Sequence, residues 1–535
     1  MYLKYMRKVL WGQKKYILGL IIFICLGGLV TTILPMVHQN IINDVFVKND
    51  FSDFYLFMVV MTVMYLLQCI FALLKDYFQA KTDADIKLLL RKELNDSIAK
   101  KQYAEYLMQG NEQVITRYTN DANVISHHFS EEIFDLLEQS VILVLAIYMV
   151  CKISAVFLLG IVVFLGIYYV VSKKIGEMLQ KAIKKLQIRR EQSLGCFTEN
   201  YTNNMLVKVN NLYEWIGERF LKVYQREYAQ SIKTDIIYSS SINIAKFIVN
   251  SLVICSWAVS GYYIRTGKGT IGDIVALTEY IGLLVSPIFY FGQFNNSLQG
   301  VNASIERLEE EFSVPSEKVD VGESLTGISE ISLRDIEFQY KSGTFQMKID
   351  RLDMKKGEII GLKGESGCGK TTLVNLLMQL YVAGKGTIYI NNKDYRTIKL
   401  SDIRACIGYV PQDSIFFEGT IRENLFGNFA QEDIERLSAE LDLFHDIQRM
   451  DNGYEYILKK NASNISGGQQ KRIDALRVLL ADKDVIIFDE ATAMLDKKRR
   501  DAFFELITKL KKEKIIIMIT HNNSEWDYFD KTYEM

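Results

Sequence analysis

The sequence predicts a multidomain membrane protein. An α-helical bundle of six transmembrane helices with long cytoplasmic extensions comes first, and an α/β domain built on a phosphate-binding loop follows. Three observations carry this. Six long apolar stretches crowd the first 300 residues. Basic residues concentrate on alternate connecting segments. A glycine- and lysine-bearing loop stands between an apolar strand and a helix in the last 200. The composition agrees: 49% of the 535 residues are apolar and 24% charged, which excludes a disordered or fibrous chain. With 63 basic and 64 acidic residues the net charge is −1, so no nucleic-acid partner is called for. Seven cysteines, at 25, 69, 151, 196, 255, 368 and 406, show no CxxC spacing and no legible zinc or disulfide framework.

The membrane domain is expected over residues 1–312. Its spans fall near 17–41, 54–78, 134–151, 153–172, 241–264 and 272–294, most of them close to the ~20 residues that cross a bilayer. The third and fourth are separated only by Lys152, which predicts a tight external hairpin. The first apolar run is too long for a signal-peptide core and lacks a small-residue cleavage site. The terminal segment and the two long loops carry 24 lysines and arginines, and the three alternate loops carry four. Both termini and both long loops are therefore expected in the cytoplasm. Stretches 81–108 and 173–235 are charged and periodic, as helices continuing beyond the membrane would be. Their hairpin tips are either simply solvated or dock on another domain. Glu279 lies about seven residues into the sixth span, at a depth where a carboxylate facing lipid is costly. It is expected to face the bundle interior or the transport pathway, or else to hydrogen-bond a neighbouring helix.

A polar linker is placed at 313–329 and the second domain at 330–535. The strongest local signal is Gly364-Glu365-Ser366-Gly367-Cys368-Gly369-Lys370-Thr371-Thr372, after apolar Ile359–Leu362 and before the helical run from Leu373. Glycines let successive N–H groups turn toward phosphate oxygens, and the helix N-terminus adds a positive dipole end. Lys370 can reach the β- and γ-phosphates, and the Thr371 hydroxyl suits Mg²⁺. Val485–Phe488 reads as a buried strand that delivers Asp489 toward Mg²⁺ and Glu490 toward an attacking water. Ser466-Gly467-Gly468-Gln469 opens another helix. A second anion site beside an existing phosphate loop makes sense if it serves a nucleotide held by another copy.

With these motifs in order, the chain resembles an exporter-type ABC half-transporter: one six-helix membrane domain fused to one α/β P-loop ATPase domain. The resemblance covers almost the whole chain and implies a role for each of the following residues. Ser466, Gly467, Gly468 and Gln469 form the signature that faces ATP across a dimer. Tyr340 stacks on adenine, Gln412 links Mg²⁺ to the membrane domain, and His521 lies near the γ-phosphate. Ala493-Met494-Leu495-Asp496 falls at the D-loop, Arg117–Asp121 at the first coupling region and Asn204–Val209 at the second. Gly269–Asp273 and Pro287 resemble the entry to the sixth helix. The chain departs from the pattern at Ile465, at Ala493 and at Lys459–Ala462, which replaces an acidic-glycine stretch. Its C-terminal strand and helix look cropped. ATP and Mg²⁺ are the implied cofactors. The implied partner is a second copy, as a homodimer, or a related half-transporter, with membrane lipids and an exported cargo.

The expected function is ATP-driven export by alternating access, with Lys370, Glu490 and His521 as the catalytic groups. The expected setting is a bacterial inner membrane, with the ATPase domain in the cytoplasm. A small or modified peptide is the preferred cargo, and a lipid or hydrophobic drug the alternative. An ATP-gated sensor or channel that transports nothing is the reading from a different class.

Overall fold

The computed structural model describes residues 2–108, 111–340, 343, 345–365, 367–493 and 495–535. It forms two compact units. One comprises Met1–Asp96 with Asn111–Ser313, and the other Ser97–Gly110 with Val314–Met535.

The helices up to the linker are α1 (Tyr2–Trp11), α2 (Lys14–Asn40), α3 (Phe54–Lys100), α4 (Tyr103–Met108), α5 (Asn111–Thr116), α6 (Ala122–His127), α7 (Ile133–Ile153), α8 (Ala155–Thr202), α9 (Asn204–Val209), α10 (Tyr213–Arg265) and α11 (Ile271–Ser313). Among the described residues six helical stretches are long and apolar enough to cross a membrane. Three helices of 47, 48 and 53 residues run far past bilayer thickness, so the charged extensions continue the spans as α-helix. The hairpin between α7 and α8 turns at Ser154, whose extended backbone (φ −162°, ψ 113°) breaks the helix while its hydroxyl accepts the N–H of Phe157. Pro35 lies within α2, which passes into a π-helical turn at Ile41–Val47.

Two apolar cores hold most of this unit. Ala146, Val150, Phe157, Ile161, Leu252 and Tyr280 knit α7, α8, α10 and α11 together. Tyr5 and Val9 of α1 pack among Leu90, Ile125, Phe129 and Ile305. The Arg117–Asp121 segment departs from its expected place at a coupling tip. It is a π-helical turn folded into the first unit. Arg117 pairs with fully buried Glu311, and Asp121 receives Arg307 at 2.5 and 3.0 Å and Ser304 at 3.0 Å. The Arg117–Glu311 pair, buried on both sides, holds two segments in register, which a solvent-facing tip would not need. Asn204–Val209 does form a short helix, α9, with Met205 and Val209 exposed.

The second unit runs β1 (Glu330–Gln339), β2 (Gln346–Lys355), β3 (Ile359–Lys363), α12 (Lys370–Leu377), β4 (Lys385–Ile390), β5 (Lys393–Asp394), α13 (Leu400–Cys406), β6 (Ile407–Val410), β7 (Gly419–Thr420), α14 (Gln431–Glu440), α15 (Phe444–Gln448), β8 (Ile457–Leu458), α16 (Gly467–Leu480), β9 (Val485–Asp489), α17 (Lys497–Leu510), β10 (Ile515–Ile519) and β11 (Lys531–Glu534). A parallel sheet has the order β11-β3-β10-β9-β6, and an antiparallel sheet the order β2-β1-β4-β5. Every residue of β9 and β10 is buried, which is why both read as unbroken apolar runs. The C-terminal strand that looked cropped is present: β11 pairs in parallel with β3, and the Met535 N–H donates to Lys363.

Residues 97–110 belong with this unit although they precede it by some 200 positions. Gln102 donates its N–H to Pro315, Glu317 donates its own to Lys100, and the Tyr103 ring meets Tyr381 edge-on at 6.0 Å.

Candidate active site and membrane polar cluster

The phosphate loop follows β3, whose first four residues are buried and so fix where the loop begins. Gly367 (φ 86°) and Gly369 (φ 117°) take left-handed backbone that L side chains rarely adopt. A Cβ on Gly369 would also stand 3.0 Å from Met347 Sδ and Phe345 Cζ. Lys370 opens α12. It is 8% exposed, and its Nζ donates to the carbonyls of Gly364 (2.8 Å) and Glu365 (3.0 Å). The cation is thereby held over the loop. Ser366 lies outside the described residues, as does Met494.

A cavity of about 260 Å³ gathers Tyr340, Gly367, Gly369, Lys370, Thr371, Thr372, Gln412, Asp489, Glu490 and His521, joined by Phe345. The parallel sheet explains the convergence. β3, β9 and β10 end side by side, in register, so the segments that follow them share one edge. The antiparallel sheet contributes Tyr340, whose hydroxyl is 2.8 Å from Thr372 Oγ1 and whose ring is wedged edge-on between Phe338 (4.9 Å) and Tyr381 (5.1 Å).

Asp489 is 3% exposed and accepts the Tyr409 hydroxyl at 3.1 Å. Burial pushes its carboxyl above the ordinary aspartate range, and the charge of Glu490 adds to the rise. The Tyr409 hydrogen bond opposes it. Glu490 sits at φ 51°, its N–H fixed by Ile519, and His521 Nε2 is 3.4 Å from its Oε1. A left-handed non-glycine residue beside a buried carboxylate is the sort of strain that clusters at reactive sites.

Gly364, Glu365 and Cys368 shape the loop without lining the cavity. Ser466–Gln469 stands outside it too. Ser466 caps α16 in a reciprocal capping box with Gln469, so this turn is rigid. One turn on, Lys471 donates to the carbonyls of Pro411 (2.6 Å) and Gln412, anchoring the segment that carries the Gln412 side chain.

In the membrane unit Glu279 meets His38 of α2, whose Nδ1 is 2.8 and 2.9 Å from the two carboxylate oxygens. The Tyr65 hydroxyl lies 3.4 Å from His38 Nε2. Glu279 thus has a neighbouring-helix partner while its side chain keeps 36% exposure.

Phe345, Tyr409, Lys471 and His38 escaped sequence reasoning. Tyr409 and Lys471 flank quoted motifs, and their positions beside Pro411-Gln412 and Gln469 were the available signal. His38 offers no local signal, because 241 positions separate it from Glu279.

Comparison with known proteins places these features. The family profile described as "ABC transporter transmembrane region" matches residues 17–288, and the profile described as "ABC transporter" matches 347–493. A probable multidrug resistance ABC transporter ATP-binding/permease protein, YheI of Bacillus subtilis (strain 168), is 28% identical over 318 residues, 58% of this chain and 54% of that protein. This match spans just over half of that relative's length. The leukotoxin export ATP-binding protein LtxB of Aggregatibacter actinomycetemcomitans is 25% identical over 511 residues, covering 94% of this chain and 71% of the other. A bacterial Atm1-family ABC exporter structure with ATP bound superposes with a TM-score of 0.82 over 98% of this chain and 93% of its own, at 19% identity, a likeness of fold. The chain belongs to the ABC transporter family, with the architecture of an exporter half-transporter whose membrane domain and transport-coupled ATPase domain share one polypeptide.

Proposed function

We propose that the protein exports cargo across a bacterial inner membrane by ATP-driven alternating access, working as a dimer of identical chains. The observation that carries this is the composition of the 260 Å³ cavity: it gathers the phosphate loop, Lys370, Gln412, Asp489, Glu490 and His521, while the rigid Ser466–Gln469 turn lies outside it. A second copy would supply that turn to complete each site. The 24-to-4 division of basic residues supports cytoplasmic termini and a cytoplasmic ATPase domain.

In this reading the Tyr340 ring stacks on adenine, and Gly367 and Gly369 turn backbone N–H groups to the phosphates. Lys370 leaves the loop carbonyls for phosphate oxygens. Thr371, Gln412 and Asp489 offer a hydroxyl, an amide and a buried carboxylate to the same cavity, oxygen donors that suit Mg²⁺. When bound, that ion supplies neutralising charge at the phosphates. Glu490 orients the attacking water, and His521 steadies Glu490 and the γ-phosphate. Phosphoryl transfer asks mainly for such positioning and charge neutralisation. Exposed α9 is a surface through which closure would reach the membrane helices.

The cargo we favour is a small or modified peptide; the likeness to a leukotoxin export protein, over 94% of this chain and 71% of that one, supports export without choosing the cargo class. Glu279, held by His38 yet partly exposed, would meet a cationic or polar group of that cargo. The resemblance to a probable multidrug transporter supports hydrophobic drugs as the second reading. Reconstitution in proteoliposomes tests both: ATPase activity should rise with one class among cationic peptides, lipids and drugs, and that class should accumulate in the lumen of inside-out vesicles. Turnover without movement of any class would point to a sensor or channel.

A further inference from the structure

We propose that the outward face of α1 binds the phosphate of an anionic phospholipid between Arg7, Trp11 and Lys14. One face of this helix is fully used, since Tyr5 and Val9 are 2% and 1% exposed in the core beneath it. The opposite face presents Leu3, Lys4, Arg7 and Trp11, with Leu3 70% and Trp11 60% exposed. Lys8 is already occupied, its Nζ 2.7 Å from Glu93. The arrangement at Trp11 differs. Lys14 Nζ sits 3.4 Å from the centre of the indole ring, and the Arg7 guanidinium 5.2 Å from it.

Each cation gains from the ring, but gathering two on one indole sets like charges close together. Among the described residues no carboxylate pairs with Lys4, Arg7, Lys14 or Lys15. An anion seated beside both charges relieves that repulsion. Its source follows from the place in the chain. Lys14 is the first residue of a candidate membrane span, and an exposed tryptophan next to a span belongs at the headgroup level. Basic clusters at this position attract anionic lipid. The occupant is therefore a lipid phosphate carrying net negative charge. This inference rests on α2 spanning the membrane and is independent of cargo and turnover.

The test uses the full-length protein in nanodiscs of phosphatidylcholine mixed with phosphatidylglycerol. Native mass spectrometry reads which lipid stays bound after release. Wild type should retain phosphatidylglycerol preferentially. Arg7→Gln with Lys14→Gln should lower that preference by about fivefold per charge removed, the scale of one basic residue at an anionic surface. Its melting temperature in phosphatidylcholine and its ATP affinity should stay unchanged. Lys4→Gln with Lys15→Gln should keep most of the preference. An equal loss in both double variants would mean diffuse surface charge and overturn the site. Retained preference in Arg7→Gln with Lys14→Gln would overturn it as well. Displacement of the lipid by soluble glycerophosphate would assign the pocket to a free phosphate and reject the lipid. Loss of ATPase activity under all conditions would count against the proposed function and leave this readout intact.

Discussion

Lys471 Nζ lies 2.6 Å from the carbonyl oxygen of Pro411 and donates to that of Gln412 as well. One buried ammonium thus fastens the helix that starts at Gly467 to the segment bearing Gln412, which lines the 260 Å³ cavity. Burial lowers the lysine's pKa, the charges of Asp474 and Asp489 oppose that shift, and the hydrogen bonds of the ammonium go to the two backbone carbonyls. Lys471→Met should cut kcat about tenfold with little change in KM for ATP, since each charge-assisted bond is worth roughly 1.5–3 kcal/mol. Lys471→Arg should restore much of it. Wild-type turnover by Lys471→Met would remove its positioning role.

Tyr409 should set the acid limit of ATP hydrolysis. Its hydroxyl stabilises the ionised form of Asp489, whose pKa burial has already raised. Removing the hydroxyl leaves the charged form less favoured and raises that pKa further. In Tyr409→Phe the acid limb of the kcat/KM profile should therefore move to higher pH while the alkaline limb stays. An unmoved acid limb would show that the bond is structural only.

Glu490→Gln should keep ATP binding and lower steady-state hydrolysis by roughly 10²-fold or more, the range for losing general-base catalysis. An ATP-bound dimer should accumulate and be visible by size-exclusion chromatography. Near-normal hydrolysis would sink the water-orienting role.

The partner's contribution can be read from mixed dimers. A Ser466→Arg chain combined with a Lys370→Ala chain places both defects in one composite site and neither in the other. Nucleotide trapping should survive at one site per dimer. Its complete absence in assembled mixed dimers would count against sharing of sites between chains.

At Glu279 two outcomes separate pathway from scaffold. Glu279→Gln should change cargo-stimulated ATPase activity and leave basal activity and melting temperature nearly intact. His38→Gln should act in the same direction, because it alters the same pair. A lower melting temperature with proportionate loss of every activity would make the pair a structural tie.

What could be read in advance depended on how far apart the partners lie in the chain. The phosphate loop and Asp489-Glu490 each advertise their chemistry within a few residues, His521 entered only through the family resemblance, and parallel strands carry such segments to a common edge. The six apolar helices declare themselves by length and hydropathy. Tyr409 to Asp489, Lys471 to Pro411 and His38 to Glu279 are contacts across 80, 60 and 241 positions, and no local pattern foretells them. Arg117–Asp121 misled for the same reason: its resemblance to a coupling region is local, and only the fold brings Glu311 and Arg307 beside it.

The attachment of residues 97–110 to the later unit bears on how the chain is made. These residues leave the ribosome roughly two hundred positions before the sheet they join begins to emerge. At about 5–20 residues per second, α4 waits on the order of 10–40 s before Pro315, Glu317 and Tyr381 exist to receive it. During that interval the first unit can assemble, but the ATPase domain cannot be completed. Synthesis of the second domain therefore ends by capturing a segment already anchored to the membrane. A fragment started at the linker would lack that segment and bare the Tyr381 ring that Tyr103 meets, beside Val382 and Val321, which are exposed already.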